Sequence, residues 1–255
     1  MREQPQQQPP PVQRLRVRYA KRGRLRFTSH RDFSRAFERA VFRARVPMAY
    51  SSGFNPHPRI SYAGAAPTGS ASEAEYLEIA LARVCDAAEV HAQLDEALPP
   101  GLDVLEVVPS AGGALAERLE ASVWEIRLAG VASAAAEEAV RRFLATEEVL
   151  VERMTKKGLR TFDSRGAVLR LAVTDGEAGP GSSGSSEPCA ILHMVLRHDT
   201  PAVRPDDILA GLREIAGLDI AAAPVQQRTA QGPIDPDAGT VGDPLAPDRD
   251  AVAHP

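Results

Sequence analysis

Residues 14–69 read RLRVRYAKRGRLRFTSHRDFSRAFERAVFRARVPMAYSSGFNPHPRISYAGAAPTG, and the fold follows from how this stretch is parsed. Ser29 is placed to accept the Asp32 N–H as an N-cap, with Asp32 reaching back as in a capping box. Phe33, Ala36, Phe37, Ala40, Val41 and Ala44 then recur at the spacing of one apolar helix face. Pro47 stops the helix, so a helix is predicted over Ser29–Arg45. Upstream, Arg14–Tyr19 and Arg24–Thr28 read as strands of a hairpin arm; downstream, Arg59–Ala63 reads as a strand. In the loop between, Pro56 and Pro58 fix φ and push Asn55 and His57 to extended conformations. The loop is therefore stiff, and Phe54 is expected to anchor its base in the core.

Working outward, Glu75–Ala82 reads as a strand, Asp86–Ala97 as a helix ended by Pro99-Pro100-Gly101, and Asp103–Val108 as a strand. Strand, helix, strand, strand, helix, strand is the ferredoxin-like order. The second half repeats it: a strand over Ser122–Leu128, a helix over Ser133–Thr146, and strands over Val149–Thr155, Val168–Val173 and Ala190–Arg197. A helix from about Pro205 to Gly217 and a last strand over Leu218–Val225 complete it. The expected fold is α+β, two tandem ferredoxin-like (βαββαβ) domains with antiparallel sheets, over residues 13–110 and 120–230. Gly176–Pro188 reads as a flexible hairpin loop by composition. The Gln/Pro-rich residues 1–12 and the Pro/Asp/Gly-rich residues 231–255 are expected to be disordered tails.

Charge is polarised along the chain. Residues 14–59 carry thirteen basic and two acidic residues, a net +11, whereas residues 60–120 carry two basic and eleven acidic, a net −9. The near-neutral total hides this dipole. Arg31, Arg35, Arg39 and Arg43 stand four apart and form a ridge on the predicted helix. Four adjacent guanidiniums repel unless an anion lies opposite, and the arginine fork suits phosphate. Part of the charge is expected to be neutralised within the domain, but not the outward ridge. Lys156–Arg165 forms a second basic loop that either extends an anion-binding surface or is a solvated hairpin tip.

Several chemistries are excluded. Cys85 and Cys189 lie far apart and belong to no CxxC pair, which argues against a structural zinc or an iron–sulfur site, suits a reducing cytoplasm and leaves no metal or cofactor expected. There is no CxxxCxxC, no GxxxxGK[ST], no GxGxxG and no nucleophile elbow. No apolar run approaches the roughly 20 residues that span a bilayer, and the first dozen residues lack the apolar region of a signal peptide. Glu73 and Glu75 could do acid–base work or hold Mg²⁺, though an exposed strand start explains them better.

Three segments, Lys21 to Asp32, Gly53 to Arg59, and Glu75-Tyr76, carry a further resemblance. They resemble the K-x-G-x-L-R-[FY]-x-S-H-x-D, G-F-N-P-H-P-[RK] and E-Y elements of the radical-SAM-linked protein family of bacteria, the domain of unknown function 2344. Arg31 and Phe33 depart from the leucines usual there, and Ala65-Ala66 from a common Pro-Leu. The resemblance implies a role beside a radical-SAM enzyme and supplies no catalytic residues. Together with the charge it favours a non-catalytic accessory protein that binds RNA, of the transfer or ribosomal class, in the cytoplasm. Its anion-binding face is expected to comprise Arg24, Arg26, His30, Arg31, Arg35, Arg39, Arg43, Asn55, His57 and Arg59. Two alternatives stand beside it. One is a metal-independent RNA-processing or RNA-modifying enzyme with His30 or His57 as acid–base. The other is a protein–protein adaptor for the radical-SAM partner.

Overall fold

The structure, a computed structural model, describes residues 7–155, 158–176, 188–235 and 237–253. The chain is α+β and divides into two compact units, one of residues 1–118 and 243–255 and one of residues 119–242. Lys156, Lys157 and most of the Gly176–Pro188 loop lie outside the described residues, as do residues 1–6 and 254–255 of the expected tails.

The first unit runs β1 (Gln13–Lys21), a 3₁₀ turn (Gly23–Phe27), α1 (His30–Arg43), β2 (Ile60–Ala63), β3 (Ala71–Leu81), α2 (Ala87–Ala97), β4 (Val104–Pro109) and a 3₁₀ turn (Leu115–Arg118). Its strands lie in the order β4-β1-β3-β2, every neighbouring pair antiparallel. Leu15, Val17 and Tyr19 of β1 face Phe33, Phe37 and Val41 of α1 and Leu94 of α2 in one core. Ser29 caps α1 as expected, its hydroxyl accepting from the Asp32 N–H at 3.2 Å and donating to the Asp32 carboxylate at 2.7 Å.

The predicted strand over Arg24–Thr28 is replaced by the 3₁₀ turn. Its amides close locally, Leu25 N–H on Arg22 O and Thr28 N–H on Leu25 O, and β1 finds its partners in β3 and β4 instead. The carboxy-terminal segment also differs from expectation. It carries α5 (Ala246–Ala253), which packs in the first unit with Leu245 and Asp248 fully buried. Asp248 accepts from Arg16 Nη1, from Arg118 Nη1 and from the Ala111 N–H, all at 2.8–2.9 Å. The composition of residues 231–255 hid this because the anchor is one carboxylate meeting arginines remote in sequence. At the other end, Gln8 and Val12 donate backbone hydrogen bonds to Ser52 Oγ and Leu81 O, so the described part of the amino-terminal tail is tied to the unit.

The second unit contains β5 (Ala121–Ala129), α3 (Ser133–Ala145), β6 (Leu150–Thr155), β7 (Gly158–Asp163), β8 (Val168–Asp175), β9 (Cys189–Arg197), α4 (Pro205–Ala216), β10 (Val225–Gly232), β11 (Ile234–Asp235) and β12 (Thr240–Val241). Its main strands lie in the order β10-β5-β9-β8, all antiparallel, with β6 and β7 paired as a separate ribbon. Part of the predicted basic loop is thus strand β7. Gly217 ends α4 in the left-handed region at φ 65°, as glycine does most cheaply. Gly211 inside α4 is dictated by packing: a Cβ there would lie 2.8 Å from the Phe143 ring of α3.

The last strand is displaced from its predicted place. Residues 218–224 form no strand, while Val225–Gly232 pairs with β5 across its length. Leu218 and Ile220 supplied the apolar signal but pack from a loop. The true strand is polar and buries Arg228 and Gln231, which bond each other at 3.0 Å. Hydrophobic periodicity has no signal to offer for such a strand.

His198, just past the end of β9, joins a polar chain that runs into β5. Its Nδ1–H donates to Leu119 O at 2.8 Å, its Nε2 accepts from the Ser122 hydroxyl at 3.0 Å, and Ser122 Oγ accepts from Trp124 Nε1–H at 2.8 Å. One side of the residue is open to solvent, but both ring nitrogens are engaged inward. Burial lowers its pKa from the ordinary 6.5, against a raising bond to Leu119, and the charge of Arg228 lowers it further. The folded chain therefore binds fewer protons than the unfolded chain just below pH 6.5. Stability from this group is complete above pH 6.5 and declines as pH falls toward the lowered folded value. Denaturant titrations across that range should show the decline in the parent and a shallower one in His198→Gln; equal slopes would uncouple His198 from folding.

Candidate nucleic-acid interface

The ridge on α1 follows from the helical repeat. At 3.6 residues per turn, Arg31, Arg35, Arg39 and Phe42 fall within an arc of about 80°, opposite buried Phe33, Phe37, Ala40 and Val41. Phe42 is 82 % exposed, in the middle of the arginines. Together with Arg35, Glu38, Arg39 and Arg43 it lines an open hollow of about 590 Å³. Sequence reasoning passed over Phe42 because it falls off the apolar stripe; a large aromatic at a polar-face position was the signal available.

The segmental charge divides in two. On β1 two arginines are neutralised: Arg14 by Glu78 at 2.7 Å, and Arg16 by Asp248 at 2.8 Å and Glu78 at 3.2 Å. Arg18 donates to Glu73 O, while Arg22 bonds Glu73 and Asp103. These acidic side chains come from the −9 segment and the carboxy-terminal helix. On α1 and beside it the pattern reverses. Among the described residues, Arg24, Arg31, Arg35 and Arg39 have no ion-pair partner. Arg43 is partly engaged through a hydrogen bond to Ala97 O at the end of α2. Arg26 lays its guanidinium over the exposed Phe27 ring at 4.8 Å, with a buried Nε that has no partner among the described residues.

The Asn-Pro-His-Pro loop sits past the other end of α1. Ser51 N–H bonds His57 O at 2.8 Å, His57 N–H bonds Ser51 Oγ at 3.0 Å, and Tyr50 bridges Pro58, so the loop is closed by backbone contacts. Arg59 turns its Nε to Tyr50 O. Asn55 and His57 are exposed. Phe54 does not anchor the loop; it is 71 % exposed, and the loop is held by the Ser51–His57 bonds instead. His30 lies at the opposite end, its ring edge-on to Tyr62 at 5.0 Å and its Nδ1 3.4 Å from Ser34 Oγ. Among the described residues the two histidines share no hydrogen bond or ring contact. Of the predicted site residues, His30, Arg31, Arg35, Arg39 and Arg43 lie along α1, Arg24 and Arg26 in the 3₁₀ turn before it, and Asn55, His57 and Arg59 between α1 and β2.

Tyr62 joins the stacked Tyr19 and Phe33 rings. Its hydroxyl is buried with no partner at hydrogen-bond distance, although Ser34 stands near enough to act on it. Burial raises its pKa, and the charge of Glu38 adds to the rise. The two carboxylates considered for acid–base work are occupied structurally. Glu73 holds Arg22, and buried Glu75 accepts from the Ala66 N–H. Lys21 donates to Ala66 O and Pro67 O from the same interior. Lys21 and Glu75, from two separate sequence elements, thereby clamp the loop of residues 64–70, and Gly69 N–H bonds Arg26 O. Among the described residues no cluster of His, Cys, Asp and Glu could hold a metal, and no helix is long and apolar enough to cross a membrane.

Comparison with known proteins gives a family and little else. The sequence pattern of a family described as "Uncharacterized protein conserved in bacteria (DUF2344)" matches residues 14–205. No curated protein matches the chain. A solved structure described as an unknown protein from Galdieria sulphuraria is 13 % identical over 85 % of this chain and 98 % of that one, with a TM-score of 0.23 that carries no argument.

Proposed function

This chain belongs to the DUF2344 family, and from that premise we propose that it is an accessory RNA-binding protein acting beside a radical-SAM enzyme. One observation carries the RNA reading: Arg14 and Arg16 of β1 are neutralised internally, while Arg31, Arg35 and Arg39 face solvent in a row along α1, with Arg24 exposed in the turn before it. Like charges held that close are unfavourable without a counter-charge, and a polyanion supplies one at regular spacing. The radical-SAM partner rests on the sequence resemblance alone. The strand orders β4-β1-β3-β2 and β10-β5-β9-β8 support reading each unit as ferredoxin-like, the second with the β6–β7 ribbon inserted. That fold hosts RNA binding in unrelated families, an analogy that adds little weight. Cys85 and Cys189 are both free, which suits a cytoplasmic setting.

Binding is favoured over catalysis by the surroundings of the two histidines. His30 touches Ser34 and Tyr62, His57 is held through its backbone, and neither has a carboxylate orienting its ring among the described contacts. The test is filter binding of transfer or ribosomal RNA by the parent and by an Arg35→Glu/Arg39→Glu double variant. Affinity should fall by about tenfold or more, and the slope of log affinity against log salt should shrink by roughly one per arginine. Both residues lie off the apolar face, so thermal stability should hold. Unchanged affinity and slope would remove the RNA reading and favour an adaptor.

A further inference from the structure

Phe42 is the one ring on the outward face of α1, and the RNA reading of that face does not by itself explain it. An arginine ridge that gripped only phosphates would gain nothing from a phenylalanine 82 % exposed among its guanidiniums. Phe37, five residues earlier, is fully buried, so the helix has a core face available and Phe42 lies off it. The hollow around Phe42 also holds Glu38. A carboxylate there repels phosphate, so the group that settles between Arg35 and Arg39 is better neutral, flat and bearing N–H donors on its edge.

We infer that Phe42 is a stacking platform for one unpaired nucleobase of a single-stranded RNA segment, with Arg35 and Arg39 holding the flanking phosphates and Glu38 accepting from the base edge. This rests on the RNA-binding reading and adds the class of RNA. Base–aromatic stacking needs a strand whose bases can turn out. A duplex keeps its bases paired and would leave Phe42 bare. Glu38 accepts hydrogen bonds from amino groups of the kind cytosine presents, so a base lacking such a donor should sit less well.

The test is fluorescence polarisation with a labelled single-stranded RNA of about twelve nucleotides and with the same strand annealed to its complement. Phe42→Ala should weaken single-strand binding by about tenfold, leave the salt slope unchanged because no phosphate contact is lost, and leave duplex binding as it was. Phe42→Trp should keep the parent affinity, and its fluorescence should be quenched on binding; native Trp124 is buried and gives a steady background. If Phe42→Ala binds the single strand as tightly as the parent while Arg35→Glu/Arg39→Glu does not, the stacking inference fails and the RNA reading stands, leaving the hollow for a protein contact. If the parent binds neither form of RNA, both fail together.

Discussion

Asp248→Ala should lower the stability of the protein by about 3–5 kcal/mol, the usual cost of removing one partner of a buried ion pair. Asp248 and Arg16 are both fully buried. The carboxylate takes two hydrogen bonds from Arg16 Nη1, one from Arg118 and one from the Ala111 amide. Arg16 spends its other donors on Glu78, Gly112 O and Gly113 O, so after the substitution its charge is only partly compensated, by a carboxylate it shares with Arg14. The loss comes mainly from the stranded guanidinium, not from a large net gain of the intact pair. A joint replacement of Arg16 and Asp248 by well-packed apolar residues should therefore recover much of it. Urea unfolding measures both. Ending the chain after Gly242 should cost at least as much as Asp248→Ala; a truncated protein as stable as the parent would show that α5 is a passive appendage.

Phe37→Ala should cost about 3–5 kcal/mol, the range for removing a buried phenylalanine from a core. Its ring is fully buried, 5.8 Å from that of Phe33, which stacks on Tyr19 in turn at 4.5 Å. The cavity would lie between α1 and β1, where neither element can close it without breaking the other's packing. Phe42→Ala, on the same helix, should change stability by less than about 0.5 kcal/mol, as surface substitutions do. The pair is a control on itself: same residue type, same helix, opposite faces. Parallel denaturant melts would show a large shift for one and almost none for the other. A comparable loss in both would mean that Phe42 belongs to the fold, and would weaken the case that it waits for a base.

Much of this protein was legible from local pattern. The cap at Ser29, the apolar face of α1, the stop before Pro47 and the alternation of strands and helices are set by residues within a few positions of each other. Helix geometry turns spacing into a face, so the arginine ridge could be named before its surroundings were known. What only the tertiary structure decided involves partners distant in sequence or polar in character. Arg24–Phe27 closes on itself as a 3₁₀ turn because β1 finds strands more than eighty residues apart in their furthest reach, at Val104–Pro109. Strand β10 is written in Gln, Arg and Thr, pairs with β5, and buries Arg228 and Gln231, which bond each other. The carboxy-terminal helix depends on Asp248 reaching Arg16 across 232 positions. The separation of neutralised from solvent-facing arginines belongs to the same class. A guanidinium on β1 and one on α1 read alike in sequence, and which is spent inside the fold is settled only by where the carboxylates fall in space.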